Sequence, residues 1–190
     1  MARQRLAALP AGTLSGADLA TTATALATHF HILPTSTAQI SQISSMLGQI
    51  EATLRDSGRM FWFRSDEDAI KDGNPQISAA YAGRLTPSAE MRIGITRNFK
   101  GRSELNRVSS LIHEAVHVND PASGTPATHI SEWYVSPQLA PALGLTPVAN
   151  DPRFATRYDL MSAGNALHNP ASYATFARHV FLGVDRRELP

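Results

Sequence analysis

The feature that most constrains this chain is a pair of histidines four residues apart, His113 and His117, within a segment of helical periodicity. Residues at this spacing project from the same face of an α-helix, so both imidazoles can reach one metal ion. Glu114 directly follows the first histidine and would stand beside that ion, where it can accept a proton from a bound water. The spacing therefore predicts a metal site on a helix, with a carboxylate next to it.

The segment from residue 103 to residue 118, SELNRVSSLIHEAVHV, is predicted to form one helix with Ser103 as its N-cap. Two apolar rows flank a narrow polar stripe that contains Asn106, Ser110 and the two histidines. A helix that is apolar on both shoulders is usually buried, and a buried polar stripe needs partners, which a metal would supply. The alternative, a surface helix with solvated histidines, is disfavoured by those apolar shoulders.

The order His-Glu-x-x-His is typical of zincin metallopeptidases, in which two histidines bind Zn²⁺ and the glutamate is the general base. The chain contains no cysteine, so disulfides and thiolate ligands are excluded. A metal must then be held by histidine, carboxylate or water, which fits a catalytic site better than a structural one. We expect hydrolysis of a protein or peptide substrate, with Glu114 as the base.

Composition excludes several other classes of function. A net charge of +1 gives no reason to expect nucleic acid or an anionic membrane as the main partner. No run approaches the roughly 18 apolar residues needed to span a bilayer. The opening stretch is weakly apolar and is interrupted by Pro10 and Gly12, so we do not expect a secretory signal peptide. Delivery by another route, or release from a larger polypeptide, stays open.

Periodicity elsewhere predicts an α+β fold. Helices are expected over residues 17–31, 35–57 and 170–182, and strands over residues 59–64, 77–85 and 91–99. The acidic stretch between residues 65 and 75 is expected to be an exposed loop, with calcium binding as a weaker alternative. We expect the strand before the histidine helix to border the cleft and to offer its free edge to an extended peptide.

These elements predict a zincin-like metallopeptidase domain with a small mixed sheet, an active-site helix and additional N-terminal helices. We divide the chain into an N-terminal helical region, residues 1–58, and a catalytic region, residues 59–190, joined as one compact unit.

A catalytic zinc normally has a third protein ligand and one position left for water. The downstream candidates in this chain are Asp120, His129, Glu132, Asp151 and Asp159. Glu132 lies fifteen residues after His117, which leaves room for the chain to turn back over the metal. Asp120 has an alternative role at the end of the helix, where Pro121 begins a turn.

The second half of the chain resembles the aspzincin and lysine-specific metallo-endopeptidase family. In that family a Gly-Thr-x-x-Asp-x-x-Tyr-Gly segment and a later Asn-Ala-Asp-Ser-Tyr run follow the His-Glu-x-x-His helix. The chain has Gly124 and Thr125, then Glu132 and Tyr134, and later the run Asn169-Pro-Ala-Ser-Tyr-Ala-Thr-Phe-Ala. The resemblance covers residues 90–182. It departs from the family pattern because the acidic residue is a glutamate, comes late, and precedes the tyrosine by two positions, and because no glycine follows the tyrosine.

The resemblance implies that Glu132 is the third zinc ligand and that Tyr134 donates a hydrogen bond to the oxyanion. It also implies lysine preference if the pocket that receives the residue after the scissile bond is acidic, but no residues are assigned to that pocket. A packed aromatic side chain is the alternative role for Tyr134, and Tyr158 and His168 are further candidates for the donor. We expect Asn169 and Ser172 to cap the last helix.

Three functions are compatible with the sequence. The first is a zinc metallopeptidase, in the form of a secreted or injected effector or toxin domain. The second is a zincin-fold amidase that acts on cell-wall peptide. The third is a catalytically silent binding module that retains the helix.

Overall fold

The computed structural model describes residues 1–14, 16–73, 78–84, 86, 88–125, 127–130, 158 and 161–185. The helices in these ranges are α1 (Ala2–Ala8), α2 (Gly16–Phe30), α3 (Thr37–Arg55), α4 (Ser57–Met60), α5 (Asp66–Lys71), α6 (Glu104–Asn119), α7 (Ala163–Ala166) and α8 (Pro170–Leu182). The strands are β1 (Phe61–Phe63), β2 (Ala80–Gly83) and β3 (Arg92–Ile95), and short 3₁₀ turns cover Arg97–Phe99 and Pro121–Gly124.

The three strands form one small mixed sheet in the order β1–β3–β2. β1 runs parallel to β3, and β2 runs antiparallel to it. The expectation that the strand before α6 offers a free edge is therefore wrong, because β3 is central and is paired on both sides. The edge that lies beside α6 belongs to β2, and the two elements are in contact.

A glycine in the central strand makes room for two aromatic rings on one face of the sheet. Gly94 pairs across the strands with Trp62 on one side and Tyr81 on the other. A Cβ atom at this position would lie 2.5 Å from Cζ of Tyr81 and 2.7 Å from Nε1 of Trp62. The two rings therefore cover the glycine, and no larger residue fits beneath them without movement.

One hydrophobic core joins the N-terminal helices to the rest of the structure. α6 packs against α8 and α3, and α2 packs against α8. The side chains of this core come from both halves of the chain and include Leu6, Leu26, Phe30, Ile40, Ile43, Ile93, Val116, Tyr173 and Phe176. The α+β class is confirmed, and α6 lies at the centre of the arrangement, between the sheet and the helical layer.

Four predicted helices are confirmed to within about two residues at each end, namely α2, α3, α6 and α8. Ser103 caps α6 as expected, because its Oγ accepts a hydrogen bond from the backbone N–H of Asn106. The prediction that both shoulders of α6 are buried holds only for its second half. Ala115 and Val116 are fully buried, whereas the side chain of Val108 is exposed.

The acidic stretch after β1 forms a helix, α5, where a loop was expected. Ser65 caps it by accepting a hydrogen bond from the N–H of Asp68. Asp72 follows the helix and pairs with Arg64 through two hydrogen bonds of 2.8 and 3.0 Å, and it also accepts a hydrogen bond from the Tyr81 hydroxyl. These contacts use both carboxylate oxygens of Asp72, one of the acidic residues that the calcium alternative would require.

No helix among the described residues combines the length and the apolar character that crossing a membrane requires.

Candidate metal centre

Helix α6 positions both of the predicted histidines. Ala115 and Val116 are packed into the core, which fixes the rotation of the helix about its axis. His113 and His117 lie one turn apart, with their ring centroids 5.1 Å from each other. Both rings are partly buried, so they face a cleft and are shielded from bulk water on several sides.

A third imidazole approaches this pair from the loop that follows α6. The centroid of His129 lies 5.4 Å from that of His113 and 4.9 Å from that of His117. The Nε2 atoms of His113 and His129 are 3.3 Å apart. The three residues each offer one ring nitrogen, and these nitrogens all lie within 4.8 Å of one another.

The geometry and chemistry of this cluster suit a zinc ion. Zinc–nitrogen bonds of 2.0–2.1 Å in a tetrahedral arrangement place two ligand nitrogens about 3.3 Å apart, which is the distance between the Nε2 atoms of His113 and His129. Imidazole nitrogen is a common zinc ligand. His129 is exposed to solvent, so the cluster is open on one side. An open side is what a catalytic site needs for water and substrate.

The loop after α6 is held by hydrogen bonds that place His129. Asp120 N-caps the 3₁₀ turn by accepting from the N–H of Ala122, while its other carboxylate oxygen lies 2.7 Å from Nδ1 of His168. The Thr128 hydroxyl donates to the carbonyl of Ala122. Asp120 is thus engaged in holding the loop, and its predicted alternative role at the helix end is the one that the structure supports.

The last helix also anchors this loop. The side-chain oxygen of Asn169 accepts a hydrogen bond from the backbone N–H of Ile130, the residue after His129, and its Nδ2 donates to Ser172 Oγ. Asn169 occupies the N-cap position of α8 but makes no side-chain capping bond. Asn169 therefore is the N-cap residue of α8 as expected, but its side chain connects α8 to the loop that carries His129 and does not cap the helix, and Ser172 lies within the helix.

His117 has an outer hydrogen-bond partner that fixes its ring. Its Nδ1 lies 2.8 Å from Oγ of Ser123, and this hydroxyl donates to the carbonyl of Asp120 at 2.7 Å. Because the single hydroxyl proton of Ser123 is used in that second bond, Nδ1 of His117 must be the donor in the first. The proton on Nδ1 leaves the lone pair on Nε2, which is the arrangement that a metal ligand needs.

The environment keeps two of the imidazoles neutral. Burial, together with repulsion from His117 and His129, lowers the pKa of His113 to about 3. Burial and the neighbouring His129 lower the pKa of His117 to about 4, against an opposing effect of Asp120. Both rings therefore have an available lone pair at neutral pH, without competition from protons.

The side chain of Glu114 extends from α6 to the edge of the sheet. Its Oε2 accepts a 2.8 Å hydrogen bond from the backbone N–H of Ala82 in β2. Burial raises the pKa of Glu114 to about 8, although the hydrogen bond from Ala82 lowers it. A carboxyl group with a pKa near neutrality can both accept and return a proton, which is the property of a general base. A cation bound to the histidines would favour its ionised form.

A cavity of about 260 Å³ opens beside His113, His129 and Glu114. Its other lining is polar and uncharged for the most part, with Asn106, Ser109 and Ser110 from α6. Arg102, two residues before the start of α6, also lines the cavity. Among the described lining residues Glu114 is the only carboxylate.

The structure thus brings together three predicted site residues, His113, Glu114 and His117, and adds His129, which was one of the alternatives. Glu132 and Tyr134 lie outside the described residues, so their roles stay predictions; the same holds for Asp151 and Asp159.

The two other donor candidates are engaged elsewhere. Tyr158 is buried, and its hydroxyl contacts His29 and Thr175. His168 is paired with Asp120. The hydrogen bonds of Tyr158 and His168 named above do not connect them to the cluster of His113, His117 and His129.

Comparison with protein families, with curated proteins and with solved structures finds no match to this chain.

Proposed function

We propose that the protein is a zinc-dependent peptidase that uses a water molecule as its nucleophile. The observation that carries this proposal is the position of the Glu114 carboxyl group beside three imidazoles whose nitrogens converge within 4.8 Å. An ordinary surface histidine cluster would not have a buried glutamate with a raised pKa next to it.

In this proposal His113, His117 and His129 hold the ion. A zinc ion bound there supplies Lewis-acid chemistry, in that it polarises a carbonyl and lowers the pKa of a bound water. Glu114 accepts the proton of the attacking water and passes it to the leaving amine. Ser123 keeps His117 in the tautomer that presents Nε2.

The distances favour His129 as the third ligand, whereas the family resemblance implies Glu132. His129 follows the Gly124-Thr125 pair by four residues. The carbonyl of Thr125 accepts from the N–H groups of Thr128 and His129, so the turn that starts at this pair returns the chain to α6. Glu132 stays a predicted ligand, which would complete or replace this set.

The edge of β2 is the surface that we propose for a peptide substrate. Ala82 directs its N–H away from β3, towards Glu114. Since residues of an antiparallel strand alternate between pairing and facing outward, Ala80 presents its N–H and C=O on the same edge. An extended peptide added along this edge would lie across Glu114 and next to the cavity that Arg102 lines.

The decisive experiment compares the wild type with Glu114→Gln after both are loaded with zinc. We expect Glu114→Gln to bind zinc as the wild type does and to lose cleavage of a fluorogenic peptide library, because an amide cannot accept the proton. Glu104→Gln, an exposed glutamate at the start of the same helix, serves as the matched control and should cleave normally. Full activity in Glu114→Gln would rule out the mechanism.

A further inference from the structure

A second group of potential metal ligands lies where the ends of two helices meet. His29 is in the last turn of α2, His179 is in the last turn of α8, and Asp185 follows the Gly183 C-cap of α8. The two imidazoles are almost completely buried, with exposed fractions of 0% and 4%. None of the three residues belongs to the metal centre on α6.

The ligand atoms of this group converge. Nε2 of His29 lies 3.1 Å from Nδ1 of His179 and 4.0 Å from Oδ1 of Asp185. One atom from each residue can be chosen so that all three lie within 4.8 Å of one another. Around a tetrahedral zinc ion, ligand atoms lie about 3.3 Å apart, so the histidines are already at this spacing and the carboxylate has only a short way to move.

Hydrogen bonds behind His29 determine which of its nitrogens carries the proton. The Thr175 hydroxyl donates to the carbonyl of Ala171 at 2.6 Å, so the Tyr158 hydroxyl is the donor in its 2.8 Å bond to Thr175. The Tyr158 oxygen in turn accepts from Nδ1 of His29 at 3.1 Å. A proton on Nδ1 leaves the lone pair on Nε2, directed at His179 and Asp185, and this is the hydrogen-bonded support that metal-binding histidines usually have.

We propose that His29, His179 and Asp185 form a second metal site, for a divalent first-row cation such as zinc. Two imidazole nitrogens and one carboxylate oxygen are suitable donors for such a cation. The carboxylate is partly exposed, with 26% of its side-chain surface accessible, so the ion can enter from that side and retain water there. The ion would connect α2 to the end of α8, across 150 residues of sequence.

The role that follows is structural. An ion that binds the folded chain and not the unfolded one stabilises the fold in proportion to its affinity and concentration. The alternative is a metal-free arrangement in which one histidine donates a hydrogen bond to the other. The two arrangements differ in whether zinc is bound once the first centre has been removed.

The test uses the full chain with both α6 ligands replaced, His113→Ala with His117→Ala. This double variant is loaded with zinc, freed of excess metal by gel filtration, and measured by inductively coupled plasma mass spectrometry and thermal denaturation. We expect about one zinc per chain and a higher Tm with zinc than with chelator. A double variant that folds but retains no zinc and shows no zinc-dependent Tm overturns the proposal.

Asp185→Asn in the same background keeps the shape of the side chain and removes the charged ligand. We expect it to lose the zinc and the zinc-dependent increase in Tm. Asp56→Asn, at an exposed aspartate that ends α3, is the matched control and should retain both.

His179→Asn, which leaves an amide in place of Nδ1, is the second variant in case Asp185→Asn does not fold. Far-ultraviolet circular dichroism checks that each variant is folded. Zinc retention in folded Asp185→Asn and His179→Asn overturns the proposal as well.

Discussion

Nδ1 of His117 lies 2.8 Å from the hydroxyl oxygen of Ser123, and this hydroxyl donates its proton to the carbonyl of Asp120. The serine is almost completely buried, so water does not readily replace it. The bond orients the imidazole and fixes its tautomer before any metal arrives. A single hydroxyl group in the loop after α6 therefore orients an imidazole of α6 for the proposed metal.

Replacement of this serine should weaken zinc binding without removing it. We expect Ser123→Ala to raise the Kd for zinc by about 10- to 100-fold, the usual effect when the outer partner of a ligating histidine is lost. Competition with a chromogenic chelator measures the Kd. Ser45→Ala, at an exposed position of α3, controls for the loss of a hydroxyl group in general. Equal affinity in Ser123→Ala and the wild type would contradict the role of Ser123.

The raised pKa of Glu114 makes the metal-free protein sensitive to alkaline pH. In the folded protein the pKa of the Glu114 carboxyl group is about 8, whereas its ordinary value is 4.5, so the folded protein keeps the carboxyl proton at higher pH than the unfolded chain does. A raised folded-state pKa contributes stability that is complete below the unfolded value and is lost as the pH rises through the folded value. Glu114→Gln has no such proton and does not lose this stability. In the presence of chelator, the Tm of Glu114→Gln should therefore rise relative to the Tm of the wild type as the pH increases from about 5 to about 9. A constant difference in Tm over this range would show that Glu114 is not buried as described.

The lowered pKa of His113 has the opposite effect on the pH dependence of stability, and it acts at lower pH. The pKa of His113 falls from 6.5 to about 3 on folding. The unfolded chain then binds a proton that the folded chain does not, so stability declines as the pH falls below 6.5 and continues to decline towards 3. We expect metal-free His113→Gln to lose less stability than the wild type between these two values. Denaturant midpoints measured at several acidic pH values test this, and equal losses in the two proteins would contradict it.

Gly94 is the position where the sheet is most sensitive to substitution. An added methyl group would lie 2.5 Å from Tyr81 and 2.7 Å from Trp62, so one ring must move. We expect Gly94→Ala to lower the free energy of unfolding by about 1–3 kcal/mol, as is common for overpacked sites. Gly58→Ala is the matched control, because a Cβ at Gly58 meets nothing within 4 Å. Urea denaturation of both variants gives the comparison, and equal stabilities would show that the rings yield freely.

The sequence predicted the parts of the site that depend on local geometry. The four-residue interval between His113 and His117 is enough to predict that the two side chains lie together, because any α-helix brings these positions to one face. The same reasoning found the Ser103 cap, which needs only the residues next to it. The sequence also carries a local signal for α5, because Ser65 and Asp68 have the capping-box spacing, and their side chains bond to each other at 2.9 Å.

The rest of the site depends on contacts between distant residues. His129 reaches α6 because Asn169 holds the backbone of Ile130, from 39 positions away in the sequence. Nothing in the residues around His129 specifies that contact. The order of the strands is equally non-local, because the pairing of β1 with β3 makes β3 central and leaves β2 beside Glu114. Spacing along the chain therefore identified two candidate ligands and the candidate base, while the third candidate ligand and the proposed substrate edge required the fold.

The charge of the cavity provides a test of substrate preference that rests on the proposed peptidase activity. Arg102 lines this cavity, and Glu114 is the one carboxylate among its described lining residues. A substrate side chain that enters it should therefore be acidic.

In a library of peptides that differ at one position, we expect Arg102→Gln to lower kcat/KM for the glutamate peptide by about tenfold, the value of one charge-assisted hydrogen bond. The corresponding glutamine peptide should be little affected, and Arg102→Glu should shift the preference towards lysine. Arg107→Gln, in α6 but outside the cavity lining, is the matched control. An unchanged preference in both Arg102 variants would show that this cavity does not receive the substrate side chain.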